Sequence, residues 1–124
     1  MTADQALHNF FSGFGIPAYP STAVPVRDVT KCPYLTYTPV SGNWCETMSI
    51  TVNLWYLTES EAVPNRKADE LAQAIGESGV LLRCEGGGIW LKRGTPWCQS
   101  IPDATNEAIK CRYINVSAEF LLMR

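Results

Sequence analysis

Histidine and cysteine, two residue types that often carry chemistry in proteins, are not clustered in this sequence. His8 is the single histidine, and it falls in a predicted helix where only Asp4, one turn earlier, is spaced for a weak contact. Cys98 falls in a predicted loop, and a thiol needs a positive neighbourhood to become a nucleophile. The nearest cations, Lys92 and Arg93, lie several residues earlier. We therefore predict a histidine on the surface or at the boundary of a helix, and an inert thiol, rather than a catalytic pair.

Metal and phosphate sites are also disfavoured by the spacing. The five cysteines contain no C-x-x-C pair, so free thiols are expected, and a disulfide stays open as an alternative. Four acidic residues lack the dense loop spacing of calcium sites and are expected to be solvated: Glu59, Glu61, Asp103 and Glu107. The segment Glu85-Gly86-Gly87-Gly88 is followed by a strand-like segment, which predicts a hairpin turn rather than a phosphate loop. We expect no catalytic residue, no metal and no cofactor.

Length and composition predict one folding unit covering residues 1–124. Hydrophobic residues make up 46% of the chain and charged residues only 18%, so a well-formed core and an unusually apolar surface are expected. The net charge of -2 gives no general attraction to nucleic acid or to an anionic membrane. No apolar run is long enough to span a bilayer, and residues 1–5 do not resemble a signal peptide.

Apolar spacing predicts two amphipathic helices. Thr2 and Gln5 form a capping box for the first, and Thr58 and Glu61 are predicted to cap the second. The prolines of residues 16–33 predict an ordered but irregular segment after the first helix. The predicted core faces of the two helices are Leu7, Phe10, Phe11 and Phe14 in the first, and Ala68, Leu71, Ala72 and Ile75 in the second.

Alternation of apolar and polar residues predicts five strands. The clearest covers residues 48–57, with even-numbered side chains facing the core and Trp55 on the opposite face. The last strand places Lys110 and Arg112 on its inward face, so it either extends past the core at that end or is bulged. The predicted strands are 34–38, 48–57, 80–84, 89–92 and 109–122. We expect an α+β fold, with a mostly antiparallel β-sheet and two α-helices packed on one face.

The four tryptophans are the residues most suggestive of binding, and they are Trp44, Trp55, Trp90 and Trp97. They fall in predicted strands and loops, where packing under the proline-rich segment and a protein–protein surface are equally good explanations. Stacking on single-stranded nucleic acid ranks lower, because two nearby cations do not offset the acidic total. The candidate interface is Trp55, Trp90, Lys92, Arg93 and Trp97.

The order of several segments gives a further indication of function. The segments are His8-Asn9-Phe10-Phe11, Phe14-Gly15-Ile16-Pro17-Ala18-Tyr19, Val24-Pro25, Pro33-Tyr34-Leu35-Thr36-Tyr37, Val52-Asn53-Leu54-Trp55-Tyr56, Lys67-Ala68-Asp69-Glu70, Gly88-Ile89-Trp90-Leu91-Lys92-Arg93-Gly94 and Tyr113-Ile114-Asn115-Val116. In this order the chain resembles, over nearly its whole length, the tail-terminator or tail-completion (minor structural) proteins of long-tailed phages. The five cysteines are not part of this pattern.

The resemblance implies a virion structural protein and not an enzyme. Proteins of this kind form a ring, typically of six subunits, on the completed end of a tail tube, where they stop polymerisation and offer a docking surface to head-completion or stopper proteins. DNA passes through the lumen without sequence readout. The resemblance places the chain in the virion neck, and in the host cytoplasm during assembly, with no membrane partner.

Two other functions stay open at this point. A head-side connector or stopper of the neck belongs to the same broad class, whereas a small cytosolic enzyme or ligand-binding domain would bring His8, Cys98 and an acid together in one pocket. A closed ring also needs two different contact surfaces on each subunit. We predict that the long final strand, 109–122, is a sheet edge that supplies one of them by strand addition.

Overall fold

The computed structural model describes residues 1–24, 32–38, 47–102 and 109–122. Trp44, Cys45, Asp103 and Glu107 lie outside the described residues. The helices and strands, in chain order, are α1 (Ala3–Phe11), β1 (Ala18–Pro20), β2 (Tyr34–Tyr37), β3 (Thr47–Leu57), α2 (Ala62–Ile75), β4 (Val80–Cys84), β5 (Gly87–Pro102) and β6 (Ile109–Leu122).

Six strands form one curled sheet, an open half-barrel, in the order β1-β2-β3-β6-β5-β4. β1 runs parallel to β2, and every other neighbouring pair is antiparallel. Along β3 the even-numbered side chains from Ile50 to Tyr56 are buried, because a two-residue period places them all on the face covered by the helices. The prediction of a mixed α and β fold with a mostly antiparallel sheet is confirmed.

Both helices contribute to the same core as the covered face of the sheet. α1 begins with the predicted capping box, in which Thr2 Oγ1 accepts from Gln5 N and Gln5 Oε1 accepts from Thr2 N. α1 contacts the two edge strands, β1 and β4, whereas α2 lies against β3, β5 and β6. α1 therefore lies across the gap between the two edge strands of the half-barrel. Among the described residues, no helix combines the length and the apolar character needed to cross a membrane.

The predicted cap of α2 is wrong. Glu61 stands at the N-cap position, but its side chain makes no capping hydrogen bond. Thr58 Oγ1 instead accepts from Ser60 N at 3.1 Å. The Glu61 carboxylate is drawn away from the helix end by Lys110 and Arg112 of β6, because two cations offer it stronger hydrogen bonds than the neutral backbone does.

The predicted position of the last strand is also wrong. β6 is not a sheet edge, because it pairs with β3 along 109–119 and with β5 along 110–122. Along 110–119, β6 is therefore hydrogen-bonded to a strand on each side. The bounds of β6 agree with the prediction, and its pairing with β3 is continuous through Lys110 and Arg112.

β5 is much longer than predicted, because a bulge carries the strand past Gly94 and Pro96. Arg93 pairs with Val116 and Cys98 pairs with Ile114, so residues 94–97 stand opposite a single residue of β6. That residue, Asn115, donates from Nδ2 to the Pro96 carbonyl at 2.7 Å. Cys98 thus lies in a strand and not in the predicted loop. The irregular segment 16–33 likewise contains the short strand β1.

Candidate interaction surface

β4 is an edge strand with one hydrogen-bonded neighbour. It forms a hairpin with β5 around the two-residue turn Glu85-Gly86, in which Cys84 pairs with Gly87 and Leu81 pairs with Trp90. In an antiparallel hairpin of this length, alternate residues direct both backbone groups away from the partner strand, and here those residues are Leu81 and Arg83. Leu81 is 39% exposed, which is high for a leucine in a sheet. β4 therefore offers backbone groups and an apolar side chain at one edge.

Trp90 lies on the outer face of β5, beside this edge. Its indole Nε1 donates to the Ser78 carbonyl at 3.0 Å, and the Lys92 ammonium lies 3.7 Å from the centre of its ring. Gly79 passes under the indole with φ +87°, and a Cβ there would come within 2.5 Å of Trp90 Nε1. The ring is held in place by these contacts and stays half-buried, with a cation on its face.

Arg93 points to the opposite side of the sheet from Trp90 and Lys92. It is exposed and borders a cleft of about 310 Å³ between β5 and α2, together with Asp69 and Glu77 of the α2 side. The alternation of a strand separates Arg93 from Lys92 in this way. The candidate interface residues consequently do not form one continuous patch.

Trp97 lies in the bulge of β5 and packs against the hydrophobic core. Its Nε1 is buried and has no hydrogen-bond partner among the described residues. Much of the ring therefore supports the fold. Its contact with another chain stays a prediction.

Trp55 belongs to an aromatic row on the outer face of β1, β2 and β3. Its ring is stacked on Tyr34 with centroids 6.1 Å apart, and Tyr34 in turn lies 6.1 Å from Tyr19. Trp55 Nε1 is buried without a hydrogen-bond partner in the described part of the chain. Trp55 is separated from Trp90 by β6, so the two tryptophans occupy different regions of the outer face.

His8 and Cys98 are not brought together. His8 Nδ1 lies 3.2 Å from the Tyr37 hydroxyl and Nε2 lies 3.4 Å from the Ser12 hydroxyl, next to β2. Cys98 is on β5, which is separated from β2 in the sheet by β3 and β6. Burial raises the pKa of the Cys98 thiol, and nearby Arg112 offsets this only in part. The pocket that the enzyme alternative requires is therefore not formed by these two residues.

The described residues contain no metal-binding cluster and no disulfide. No group of three or more histidine, cysteine or acidic side chains converges within the ranges that the structure describes. Four cysteines there carry free thiols, namely Cys32, Cys84, Cys98 and Cys111. Glu59 is exposed, and Glu61 is engaged by Lys110 and Arg112.

Arg112 is a buried cation. The alternation along 109–122 predicts that it lies on the inward face of the strand, but it does not predict what the side chain does there. Its guanidinium Nε donates to Asn65 Oδ1 at 2.9 Å, and Nη2 donates to the Glu61 carboxylate. Its side chain is 3% exposed, whereas that of Glu61 is 60% exposed. The ion pair therefore fixes the first turn of α2 to β6 at the boundary between core and solvent.

We expect Glu61 to make the stability depend on acid pH. The hydrogen bond from Arg112 holds the pKa of Glu61 below its usual 4.5, with a smaller contribution from Lys110. Because the folded pKa is depressed, the stabilisation is complete above about 4.5 and is lost as the pH falls through the lower folded value. Thermal unfolding from pH 7 to pH 3 should show this loss, and Glu61→Gln should reduce it. An equal pH dependence in both proteins would contradict the assignment.

Two grooves flank α1, one along each edge strand. The groove beside β4 is open and measures about 380 Å³, and it is lined by Met1, Ala6, Asn9, Phe10, Leu81, Leu82 and Arg83. The groove beside β1 is more enclosed and measures about 220 Å³, with a lining of Asp4, Leu7, Pro20, Thr22, Ala23 and Tyr37. Burial, and secondarily the Asp4 carboxylate, raises the pKa of Tyr37. The two margins of α1 thus differ in shape and in charge.

Comparison with known proteins establishes the fold alone. No protein-family model matches the chain, and no curated protein sequence matches it. A solved structure is similar to this chain, with a TM-score of 0.60 and 13% sequence identity, over 98% of this chain and 92% of that one. At this identity the similarity supports the curled α+β architecture over the full length and carries no information on activity.

Proposed function

We propose that this chain is a virion structural protein that forms a ring on the head-proximal end of a phage tail tube. The ring stops tube polymerisation and gives the head-attachment proteins a surface to dock on. The resemblance of ordered segments from His8 to Val116 supports this function. The partners are further copies of the chain, typically six in a ring, the tail tube protein and a head-completion or stopper protein.

The observation that carries the proposal is the open β4 edge beside the held ring of Trp90. The backbone groups of Leu81 and Arg83 are available for strand addition, which supplies hydrogen bonds to a neighbouring chain. A tryptophan fixed by its own hydrogen bond loses little conformational freedom when a partner covers it, which suits it as an anchor. Lys92 over the ring adds a cation at the rim of this surface.

The charge balance supports the role of a DNA conduit. A strongly basic lumen would retain the passing polyanion, whereas a subunit of net charge -2 has no such excess. Passage of the DNA through the lumen without sequence readout is what the resemblance implies.

The test is the morphology of particles assembled without this chain. We expect overlong tails, because tube growth loses its stop. Tails of normal length that fail to attach to heads would instead identify a head-side connector or stopper. Supplying the wild-type chain in trans should restore normal length, and this is the control for effects on neighbouring components.

We expect Trp90→Ala to impair assembly while the fold persists. The ring lies on the outer face and only half-buried, so its removal should affect partners more than the core. Trp97→Ala is the comparison, since Trp97 also packs against the core and its loss should lower thermal stability as well. The measurements are tail length, virion yield and thermal unfolding. Unchanged tail length and yield for both variants would count against an interface here.

A further inference from the structure

We propose that the β4 edge of one copy docks head-to-tail into the β1-side groove of α1 in a second copy. Leu81 enters the apolar part of that groove, and Arg83 pairs with Asp4 of the neighbour. This inference rests on the proposed ring and specifies which two surfaces meet. The arrangement is heterologous, because the donor edge and the receiving groove are different parts of the same chain.

The donor side presents an apolar side chain and a cation on one face of β4. Leu81 and Arg83 are two residues apart, so their side chains leave the strand on the same outer face, about 6.6 Å from each other. Leu81 is 39% exposed. Arg83 is exposed, and no hydrogen bond or ion pair from the described residues reaches it. Both side chains are therefore available to a neighbouring molecule.

The receiving side offers the complement of these two groups. Its groove of about 220 Å³ is mostly apolar, with walls from Leu7, Pro20, Ala23 and Tyr37. Asp4 supplies a carboxylate to the same groove and forms no ion pair with the described residues. An apolar groove with one adjoining carboxylate is the kind of site that an exposed leucine, with an arginine two residues later, would fill.

The distance between the two groups on the receiving side also agrees with the distance between the two groups on the donor side. Asp4 and Leu7 are three residues apart on α1, so their Cβ atoms lie about 5–6 Å from each other. The Leu81–Arg83 separation on β4 is close to this, and the length of the arginine side chain covers the difference. A second copy is the occupant that this matching favours, because donor and receiver then carry opposite charges on every subunit.

Both surfaces remain accessible when the chain is folded. α1 lies between β4 and β1, and each groove opens on its own side of the helix. One copy can accordingly donate its β4 edge to one neighbour while it receives the edge of another. Repetition of such a contact closes into a ring when the rotation between copies allows closure.

A charge exchange tests the contact directly in the full-length chain. By sedimentation velocity, we expect the wild type to self-associate with rising concentration. Arg83→Asp and Asp4→Arg should each weaken this association by roughly tenfold or more, because each sets like charges against one another across the contact. The double variant R83D/D4R should restore association, since the opposite charges meet again with exchanged positions.

An equimolar mixture of the two single variants adds a second readout. Each R83D copy then carries acids at both positions and each D4R copy carries bases at both, so alternating mixed assemblies should form where neither variant assembles alone. Arg66→Asp, an exposed arginine of α2, is the matched control and should leave association unchanged. Thermal unfolding of every variant verifies that it is folded, since an arginine in the first turn of α1 opposes the helix dipole.

Several results would overturn the inference. They are a wild type that stays monomeric up to its solubility limit, single variants that associate like the wild type, or a double variant and a mixture that both fail to recover. Such results would leave the tail-length test of the proposed function unaffected. Conversely, a working charge exchange together with normal tails in particles that lack the chain would retain the contact and reject the function.

Discussion

Replacing Leu54 with alanine should lower the free energy of unfolding by about 2–5 kcal/mol. Leu54 has no exposed surface and lies in the middle of β3, between the strands β2 and β6. The truncation removes buried methyl groups and leaves a cavity that a sheet paired on both sides cannot close by moving. Denaturant unfolding measured at equilibrium gives this difference.

The matched control for this substitution is Leu57→Ala in the same strand. Leu57 is 61% exposed, so its truncation removes little buried surface and should change stability by no more than about 0.5 kcal/mol. If both variants unfolded like the wild type, the assignment of the even-numbered side chains of β3 to the core would be wrong.

Replacing Arg112 with alanine should also cost about 2–5 kcal/mol, the range for truncating a long buried side chain. The change leaves a cavity where a 3% exposed side chain stood, and it removes the hydrogen bonds to Asn65 and to the Glu61 carboxylate. The first turn of α2 then loses its attachment to β6. We expect a lower unfolding midpoint and faster hydrogen exchange in that turn than in the rest of the helix.

Two further substitutions separate volume from charge at this position. Arg112→Met keeps most of the volume, and the Glu61 carboxylate that it abandons stays in contact with water, so the loss should be smaller than for alanine. Arg66→Ala, at an exposed arginine of α2, should change stability by less than about 0.5 kcal/mol. Equal stability of Arg112→Ala and Arg66→Ala would contradict a structural role for the buried guanidinium.

The strands that the sequence predicted well are those whose pattern is local. β3 alternates from Ile50 to Tyr56 and β6 from Ile114 to Phe120, so the period alone fixes the faces of these stretches. The sequence predicts only the first part of β5, because Gly94 and Pro96 usually break a strand. In the structure they lie in a bulge opposite Asn115, which donates a hydrogen bond to the Pro96 carbonyl. β1 was missed because three residues ending in a proline carry no period, and its parallel pairing with β2 is a long-range contact.

Strand order was the larger error, and it explains the misplaced edge. Nothing in the residues of β6 distinguishes a central strand from an edge, because both kinds of strand can alternate and an edge strand need not contain proline. The order depends on how β3 and β5 meet β6 in space. The edge at β4 carries a weak signal in the sequence, namely a short strand in which the charged Arg83 follows three apolar residues, but its meaning depends on the same long-range pairing.

The sequence predicts the candidate interaction surface only as far as the two-residue period of a strand reaches. Trp90 and Lys92 share a face because they are two residues apart, and the structure places the ammonium over the ring. Arg93 falls on the other face by the same rule. The groove beside Asp4 could not be found from sequence, because its walls come from α1, from β2, from the end of β1 and from the segment that follows β1.

A ring built from such subunits has physical consequences for assembly. If each copy both donates and receives an edge, the contacts close on themselves and leave no free β4 edge in the finished ring. In the proposed function, the low charge of the chain suits its remaining surface to contacts with the tube and with the head-attachment proteins. Under that proposal, closure of the ring is the event that ends tube growth.

The most direct test of this account is a reconstruction of finished phage particles in which the chain is located. We predict a closed ring of copies at the head-proximal end of the tail tube, between the last tube subunits and the head-attachment proteins. Absence of the chain from finished particles would contradict the account, as would turnover of a small molecule by the purified subunit.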